Sequence, residues 1–304
     1  MRRFRAIVKA TVLETTSEPL AFLLAISAVA VTTLASAFHI HQFGETSRMA
    51  RDASLSAMLV FGLFYAVFCT VKAFRREAES GTMQMALAHS VSRFCFFTAK
   101  ATGVLVSYLV FAATMYGAAV TTVAGADIGG RLAMRSGSFA LIWGPAVAFD
   151  AATVVVPLVV AAALNRFARF RFVATATWLA LAVSLFGAAF CIAFAPGDGV
   201  GDAAAELPAR LAPAALLITF PAVVFISASA AFAVRFRDNM AVTCSFATAL
   251  LFLPAVGNYY LSDALAGAGS IPWSYVAIAF AATLPLVAAF VMLGAWLLSG
   301  RDVG

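Results

Sequence analysis

The chain has 304 residues, of which 63% are hydrophobic and only 11% are charged, and its mean hydropathy is +0.97. Soluble domains have an apolar fraction nearer to half, so this composition excludes an ordinary soluble enzyme or binding domain. The formal net charge of +6 does not indicate a nucleic-acid partner, because no segment predicts a basic groove lined by base-stacking aromatic residues.

The first 18 residues predict an amphipathic helix that lies along the membrane surface. Its apolar face has i, i+3, i+4 spacing and consists of Phe4, Ile7, Val8, Thr11 and Val12. The basic residues lie off that face, where they can bind anionic headgroups, and Pro19 ends the helix. We therefore assign residues 1–18 to an interfacial helix and residues 19–304 to a single transmembrane domain; a solvated basic tail is the alternative for 1–18.

Eight segments are apolar over about the 20 residues that a helix needs to cross a bilayer. They are continuously apolar and lack the period-two alternation of barrel strands, so we predict helices. The predicted fold class is an all-α polytopic membrane protein with about six to eight spans. The eight segments are 19–38, 55–74, 95–123, 139–164, 172–195, 212–234, 240–261 and 274–298.

The basic residues orient the predicted bundle in the membrane. Lys and Arg are retained on the cytoplasmic side, and an even number of spans places fifteen of the 20 Lys and Arg residues there. We therefore expect a multi-pass protein of a bacterial-type plasma (inner) membrane with both termini in the cytoplasm. Residues 39–54, 124–138, 196–211 and 262–273 are then short outer loops, and the third is rich in Gly, Pro and acidic residues.

The longest inner connection, residues 75–94, is unusually polar for this chain and contains the string REAESGTMQMALAHSVSR. Gly81 can break the continuation of the second span. Residues 82–90 predict a helix of about two turns, whose stripe at i, i+3, i+4, i+7 consists of Met83, Ala86, Leu87 and Ser90. Such a stripe needs a partner surface other than lipid, so the pattern predicts a short docking helix.

The same connection resembles the coupling-helix region of type 2 ABC transporter permeases, which are exporter-type membrane subunits. The family pattern has two glutamates before Gly-Thr, a Leu-rich turn, Val-Ser-Arg and a following Lys. The matching residues here are Glu77, Glu79, Gly81, Thr82, Leu87, Val91, Ser92, Arg93 and Lys100. The N-terminal helix is similar to the elbow helix of that family. Ser90 stands where the family commonly has Pro, and the family usually has six spans.

The resemblance implies transport that is driven from outside this chain. Two permease subunits would form a homo- or heterodimer, and each would dock its coupling helix on a separate ABC ATPase subunit. The implied partner-binding residues are Glu77, Glu79, Gly81, Thr82, Met83, Ala86, Leu87, Ser90 and Arg93. ATP and Mg²⁺ would belong to the ATPase, and the permease would hold no cofactor, metal or catalytic residue.

The residues themselves also argue against a nucleotide site in this chain. A P-loop needs a G-K-[ST] string, and Lys9, Lys72 and Lys100 follow Val, Val and Ala. We therefore expect no enzymatic activity. An ATPase-independent secondary transporter or channel is one alternative, which would need several intramembrane polar sites. A structural or assembly membrane protein is the other.

Asp150 is the carboxylate that lies well inside a predicted span, and Pro145 and Pro157 flank it. A charge at that depth costs about 2.5–3.5 kcal/mol unless it faces a cavity or a partner, and each proline removes a helical hydrogen bond. We predict that Asp150 is a polar element of the translocation path; a hydrogen-bonded carboxyl that fixes helix packing is the alternative. His39 and His41 have no third ligand nearby in sequence and predict no metal site.

Overall fold

The computed structural model describes residues 2–37, 46–79, 92–136, 143–194, 200–256 and 271–299. All regular secondary structure in these ranges is α-helical. The helices are α1 (Arg2–Thr16), α2 (Pro19–Ala37), α3 (Thr46–Glu79), α4 (Arg93–Ser136), α5 (Gly144–Ala168), α6 (Phe172–Ala193), α7 (Val200–Arg235), α8 (Asp238–Val256) and α9 (Trp273–Ser299).

Six of the described helices are long and apolar enough to cross a membrane, which confirms the prediction of a polytopic helical membrane protein. The qualifying segments are Ser47–Glu77, Arg93–Leu132, Gly144–Ala168, Phe172–Ala193, Ala205–Arg235 and Trp273–Leu298. Helix α1 and the first part of α2 meet at a bend of 60° and provide a seventh candidate if they form one span. The predicted spans 19–38 and 240–261 fall on α2 and α8, so the number eight stays a prediction.

Three helices extend into segments that the sequence predicts as outer loops, and the first is α3, which begins at Thr46 inside the predicted loop 39–54. Helix α4 continues to Ser136, and α7 begins at Val200, so the described parts of 124–138 and 196–211 are largely helical. The loop prediction is therefore wrong for these residues. Ala-rich sequence and i, i+4 ion pairs outweigh the turn-forming residues, and the two pairs are Asp127–Arg131 and Glu206–Arg210.

The described residues form two compact units, and the boundaries between the units fall inside α2, α3, α4 and α7. Unit 1 takes its described residues from Met1–Ala21, Gly62–Leu109 and Leu217–Gly304. Unit 2 takes its described residues from Phe22–Phe61 and Val110–Leu216. Each unit thus combines segments that are distant in sequence.

The core of unit 1 is built around Phe97 on α4, whose side chain is fully buried. Its ring centroid lies 5.4 Å from that of Phe74 on α3. Helix α9 approaches the same ring at Gly294, where a Cβ atom would lie 2.2 Å from the Phe97 Cζ atom. Val234 of α7 and Leu298 of α9 belong to the same buried cluster. Helices α3, α4, α7 and α9 therefore share one apolar core.

In unit 2, α5 and α6 pack against each other, and each helix has a stripe of buried, mostly small residues. The stripe of α5 consists of Ala146, Asp150, Thr153, Pro157 and Ala161. The stripe of α6 consists of Ala176, Ala180, Ser184, Gly187, Ala188 and Cys191. One carboxylate, that of Asp150, thus lies in a buried stripe whose other members are apolar or carry a hydroxyl group.

Gly117 allows α4 to lie directly against the backbone of α6 in unit 2. A Cβ atom at this position would lie 2.9 Å from the carbonyl carbon of Ser184, and that backbone cannot rotate aside as a side chain could. We expect Gly117→Ala to lower stability by about 1–3 kcal/mol, as overpacking does, and to lower the Tm of the detergent-solubilised protein. Gly144→Ala is the matched control, since no atom lies within 4 Å of a Cβ at Gly144. Equal Tm values for the two variants would contradict the assigned contact.

Candidate functional site

The structure describes only the two ends of the predicted coupling motif. The short helix at 82–90 lies outside the described residues, together with Gly81, Thr82, Met83, Ala86, Leu87 and Ser90. Glu77 and Glu79 belong to the last turns of α3 rather than to a loop, and only the side chain of Glu77 is described. Arg93 is the first residue of α4. The ends of α3 and α4 therefore hold the polar connection on both sides.

An ion pair joins the two ends of the motif. Lys100 Nζ on α4 lies 2.7 Å from Glu77 Oε1 on α3, and the Lys100 side chain is fully buried. The ammonium group also lies 5.8 Å from the centroid of the Phe74 ring, within range of a cation–π contact. A buried ammonium group is costly unless it is paired, so this contact fixes the relative position of the two helix ends.

A second group of charges ties the junction of α1 and α2 to α3. Glu18 lies between the two helices, with its side chain only 10% exposed. Its Oε1 atom accepts a hydrogen bond from Arg76 Nη1 at 2.7 Å, and its Oε2 atom lies 2.5 Å from Lys72 Nζ. Arg76 also approaches Glu14 Oε1, at 3.7 Å from its Nε atom. The bend between α1 and α2 is thus held by two cations from a single turn of α3.

Glu14 connects these two groups electrostatically. Burial raises the pKa of its carboxyl above the ordinary value, and the charge of Lys100 partly offsets that effect. Arg76 lowers the pKa of Glu14 as well, while Glu77 and Glu18 raise it. All these charges therefore lie close enough to interact. We call the set the ionic cluster, and its members are Glu14, Glu18, Lys72, Arg76, Glu77 and Lys100.

Two further contacts anchor the same ends of α3 and α4 in unit 1. Arg75 forms an ion pair with Asp238 at the start of α8. Arg93 Nη1 donates a hydrogen bond to the carbonyl oxygen of Leu298 on α9, at 3.3 Å. The described ends of α3 and α4 are therefore held to α1, α8 and α9 by directed polar contacts.

Glu14, Glu18, Lys72 and Arg76 were not predicted as members of an ionic cluster, although the sequence contains a signal for it. Lys72 and Arg76 are spaced i, i+4, which puts them on one face of α3; Glu14 and Glu18 have the same spacing in sequence, although Glu18 follows the end of α1. An acidic pair near one span and a basic pair at the end of another are complementary. Which helices become neighbours is decided by tertiary packing, and that information is not present in the spacing.

Asp150 lies at a different place, on α5 within unit 2, and only 3% of the residue is exposed. Thr122 Oγ1 on α4 donates a hydrogen bond to Asp150 Oδ2 at 2.7 Å. The other oxygen, Oδ1, has no hydrogen-bond partner among the residues that the structure describes. Cys191 on α6 belongs to the same buried cluster as Ala146, which lies one turn before Asp150 on α5. Asp150 is thus a buried acceptor with one oxygen available to a donor or a cation.

Pro157 adds a second feature to the same buried stripe of α5. Proline has no N–H, so the carbonyl oxygen of Thr153 cannot receive the usual hydrogen bond from residue 157. The Thr153 hydroxyl group is already used, because it donates to the carbonyl oxygen of Phe149 at 2.9 Å. Residues 150–157 therefore offer two oxygen acceptors on one face of a candidate spanning helix.

The comparisons with known proteins found no relative of this chain. No protein-family model matches the chain, and no curated protein or solved structure matches it. Within the described ranges, no group of three or more His, Cys, Asp or Glu residues is arranged to hold a metal ion. The fold and the sites define a polytopic helical membrane protein with a partly buried ionic cluster and a separate buried carboxyl.

Proposed function

We propose that this chain is the permease subunit of an ATP-driven ABC exporter, and that a separate ATPase subunit docks on the connection between α3 and α4. The ion pair between Glu77 and Lys100 is the observation that carries this proposal. This ion pair joins the two helices on either side of the connection whose sequence resembles a coupling helix. The permease forms the translocation path in a bacterial-type inner membrane, pairs with a second permease subunit, and has cytoplasmic termini.

The anchoring of the connection supports a mechanical role for it. A force on residues 80–91 reaches α3 at Glu77 and α4 at Arg93 and Lys100. If α3 tilted alone, the Lys100 ammonium group would lose its partner in a buried site, at a cost of several kcal/mol. Moving α3 and α4 together is therefore the path of lower energy, and α1 follows through Glu18.

The docking prediction is tested by a substitution on the predicted apolar stripe. We expect Leu87→Asp to abolish co-purification of the permease with its proposed ATPase subunit, because the carboxylate would be buried against the partner without a counter-charge. Membrane insertion should be unchanged, as judged by the amount of permease in washed membranes. The measurement is the ratio of the two chains after affinity purification through the permease.

Gln84→Asp is the matched control, since residue 84 lies off the predicted stripe and the same charge is added to the same connection. It should retain the ATPase. An unchanged subunit ratio in Leu87→Asp, or loss of the ATPase in both variants, would speak against docking through the stripe at residues 82–90.

The buried carboxyl of Asp150 favours a second candidate, an ATPase-independent carrier. An intramembrane acid with one oxygen lacking a described partner is the type of site that binds a coupling ion or a cationic substrate. The two candidates differ in one measurement. Substrate uptake by proteoliposomes that contain only the purified permease, with an ion gradient and no ATPase, would support the carrier and exclude the ABC exporter.

A further inference from the structure

The turn between α5 and α6 has an unusual surface. It contains the string RFARFRF, residues 166–172, in which arginine and phenylalanine nearly alternate. Phe167 is 87% exposed, which is more than any other large hydrophobic residue whose exposure is described, and Phe170 is 56% exposed. Two bare aromatic rings in one short turn are unfavourable in water, so this surface is suited to an apolar environment.

The same turn carries three arginines with no counter-charge. Arg166, Arg169 and Arg171 are all exposed, and none of them forms an ion pair with another residue in the described part of the chain. No acidic residue occurs between positions 151 and 197. A phosphate group that approaches the turn is therefore attracted by three guanidinium groups and repelled by no neighbouring carboxylate in sequence.

The turn is held in one conformation by its own hydrogen bonds. Asn165 Nδ2 donates to the carbonyl oxygen of Phe170 at 2.7 Å, and the Arg169 N–H donates to the carbonyl oxygen of Asn165 at 3.2 Å. Arg169 adopts a left-handed conformation with φ 57°, where glycine is the usual residue. A glycine there would fit the backbone without strain, so the arginine side chain is present at a position that does not favour it.

The surfaces that lead to the turn are lipid-facing in character. In the most apolar 18-residue stretch of each helix, only 22% of the residues of α5 and 33% of those of α6 are buried inside the chain, although both helices are candidate spans. The aromatic rings of the turn thus continue an exposed apolar surface, and the arginines stand at its end. A lipid leaflet has the same arrangement, because its hydrocarbon region ends at a layer of headgroup phosphates.

We propose that the turn between α5 and α6 binds an anionic phospholipid, with its arginines around the headgroup phosphate and its phenylalanines beside the acyl chains. Each Arg near an anionic surface strengthens binding by about five-fold. The three together give a preference for an anionic over a zwitterionic lipid on the order of 100-fold. This inference rests on the turn alone and does not require an ATPase partner.

A second part of the chain provides a matched control. Residues 235–237 repeat the string Arg-Phe-Arg at the junction of α7 and α8, and all three are exposed. Asp238 follows directly and pairs with Arg75, so that junction carries a carboxylate beside its arginines. Phe236 is only 36% exposed there. Arg235 and Arg237 form no ion pair among the described residues either, so the two junctions differ in the neighbouring carboxylate, in the number of arginines and in the exposure of the rings.

The test is a lipid titration of the purified full chain in a neutral detergent. Phosphatidylglycerol and phosphatidylcholine with the same acyl chains are added separately, and native mass spectrometry measures the lipid bound. Soluble glycerol phosphate is the third arm, which separates a lipid site from a free-phosphate site. The variants are a turn variant with Arg166→Gln, Arg169→Gln and Arg171→Gln, a lysine version of it, and a control variant with Arg235→Gln and Arg237→Gln.

We expect the turn variant to bind phosphatidylglycerol about 100-fold more weakly than the wild-type chain, while the control variant is unchanged and the lysine version keeps most of the affinity. Phe167→Ser with Phe170→Ser should weaken binding as well, because the rings no longer pack on acyl chains. The proposal is overturned if the turn variant keeps wild-type lipid affinity, or if glycerol phosphate displaces the lipid. It is also overturned if the turn variant loses a protein partner but no lipid.

Discussion

Replacing Lys100 by Met is expected to destabilise the protein by about 3–5 kcal/mol, the largest effect of any single substitution considered for this chain. The methionine side chain fills a similar volume, so little packing is lost. What is lost is the positive charge beside Glu77, whose carboxylate lies 2.7 Å from Lys100 Nζ. Glu14 also interacts with Lys100, so two carboxylates would be left with less compensation.

The double variant Lys100→Met with Glu77→Gln separates the charge effect from packing. A neutral pair needs no counter-charge, so most of the lost stability should return. Thermal unfolding in detergent, followed by tryptophan fluorescence, gives the Tm of each variant. Lys9→Met is the control, because the same substitution is made at an exposed lysine of α1 and should leave the Tm unchanged.

The Lys100 experiment also tests the proposed route of coupling. If the ionic cluster transmits force, the double variant should recover its Tm but not its transport-coupled ATPase activity, because the directed contact between α3 and α4 is still absent. Recovery of both quantities would make the cluster a purely structural feature. A Lys100→Met chain as stable as the wild type would show that the ion pair is not formed in the membrane.

If the chain forms the proposed translocation path, Asp150→Asn is expected to reduce transport by about 10-fold to 100-fold, with the fold and the assembly intact. The amide can still accept the hydrogen bond from Thr122, so the contact between α4 and α5 remains. The substitution removes the negative charge at Oδ1, and a charge-assisted hydrogen bond contributes about 1.5–3 kcal/mol. Transport is measured in proteoliposomes or as ATPase stimulation, and assembly by size-exclusion chromatography.

Asp52→Asn is a suitable control for the Asp150 variant, since Asp52 is a partly exposed acid that pairs with its neighbour Arg51 at the surface of unit 2. Its transport should equal that of the wild type. If Asp150→Asn transports normally at wild-type expression, the carboxyl belongs to helix packing and not to a translocation path. The variant Thr122→Val then becomes informative, because it removes the only described donor to the carboxyl and should lower the Tm.

The sequence predicted the helical, polytopic character of the fold because continuous apolar stretches have few structural alternatives in a bilayer. It also placed Asp150 inside a spanning helix, which follows from its position between apolar residues. It did not predict the end of α3, since Glu77 and Glu79 look like loop residues in sequence but continue the helix. Charged residues at that end are stabilised by partners from α1 and α4, and those partners become neighbours only through tertiary packing.

The segment 196–211 is a second place where the sequence predicted a loop and the described residues form a helix. Its glycines, its proline residues and its acids are typical of a surface turn, but α7 begins at Val200 and runs through Pro208. The carbonyl oxygen of Pro208 accepts a hydrogen bond from the Tyr116 hydroxyl at 2.7 Å, so a contact with α4 holds this part of the helix within unit 2. A glycine inside a helix costs about 1 kcal/mol and a proline about 3 kcal/mol, so the burial of Leu211 against residues of α4 and α6 is needed beside this hydrogen bond to hold the segment in a helix.

Arg93 and Leu298 meet in unit 1 although they are 205 residues apart in sequence. A ribosome adds about 5–20 residues per second, so α9 is synthesised on the order of 10–40 s after α4. During that interval the contact of Phe97 with Gly294 cannot form, although Phe74 of α3, its other described ring partner, is already present. All residues of unit 2 have been translated by Leu216. A translation product that stops before α9 would therefore present a finished unit 2 and an open unit 1 to membrane proteases.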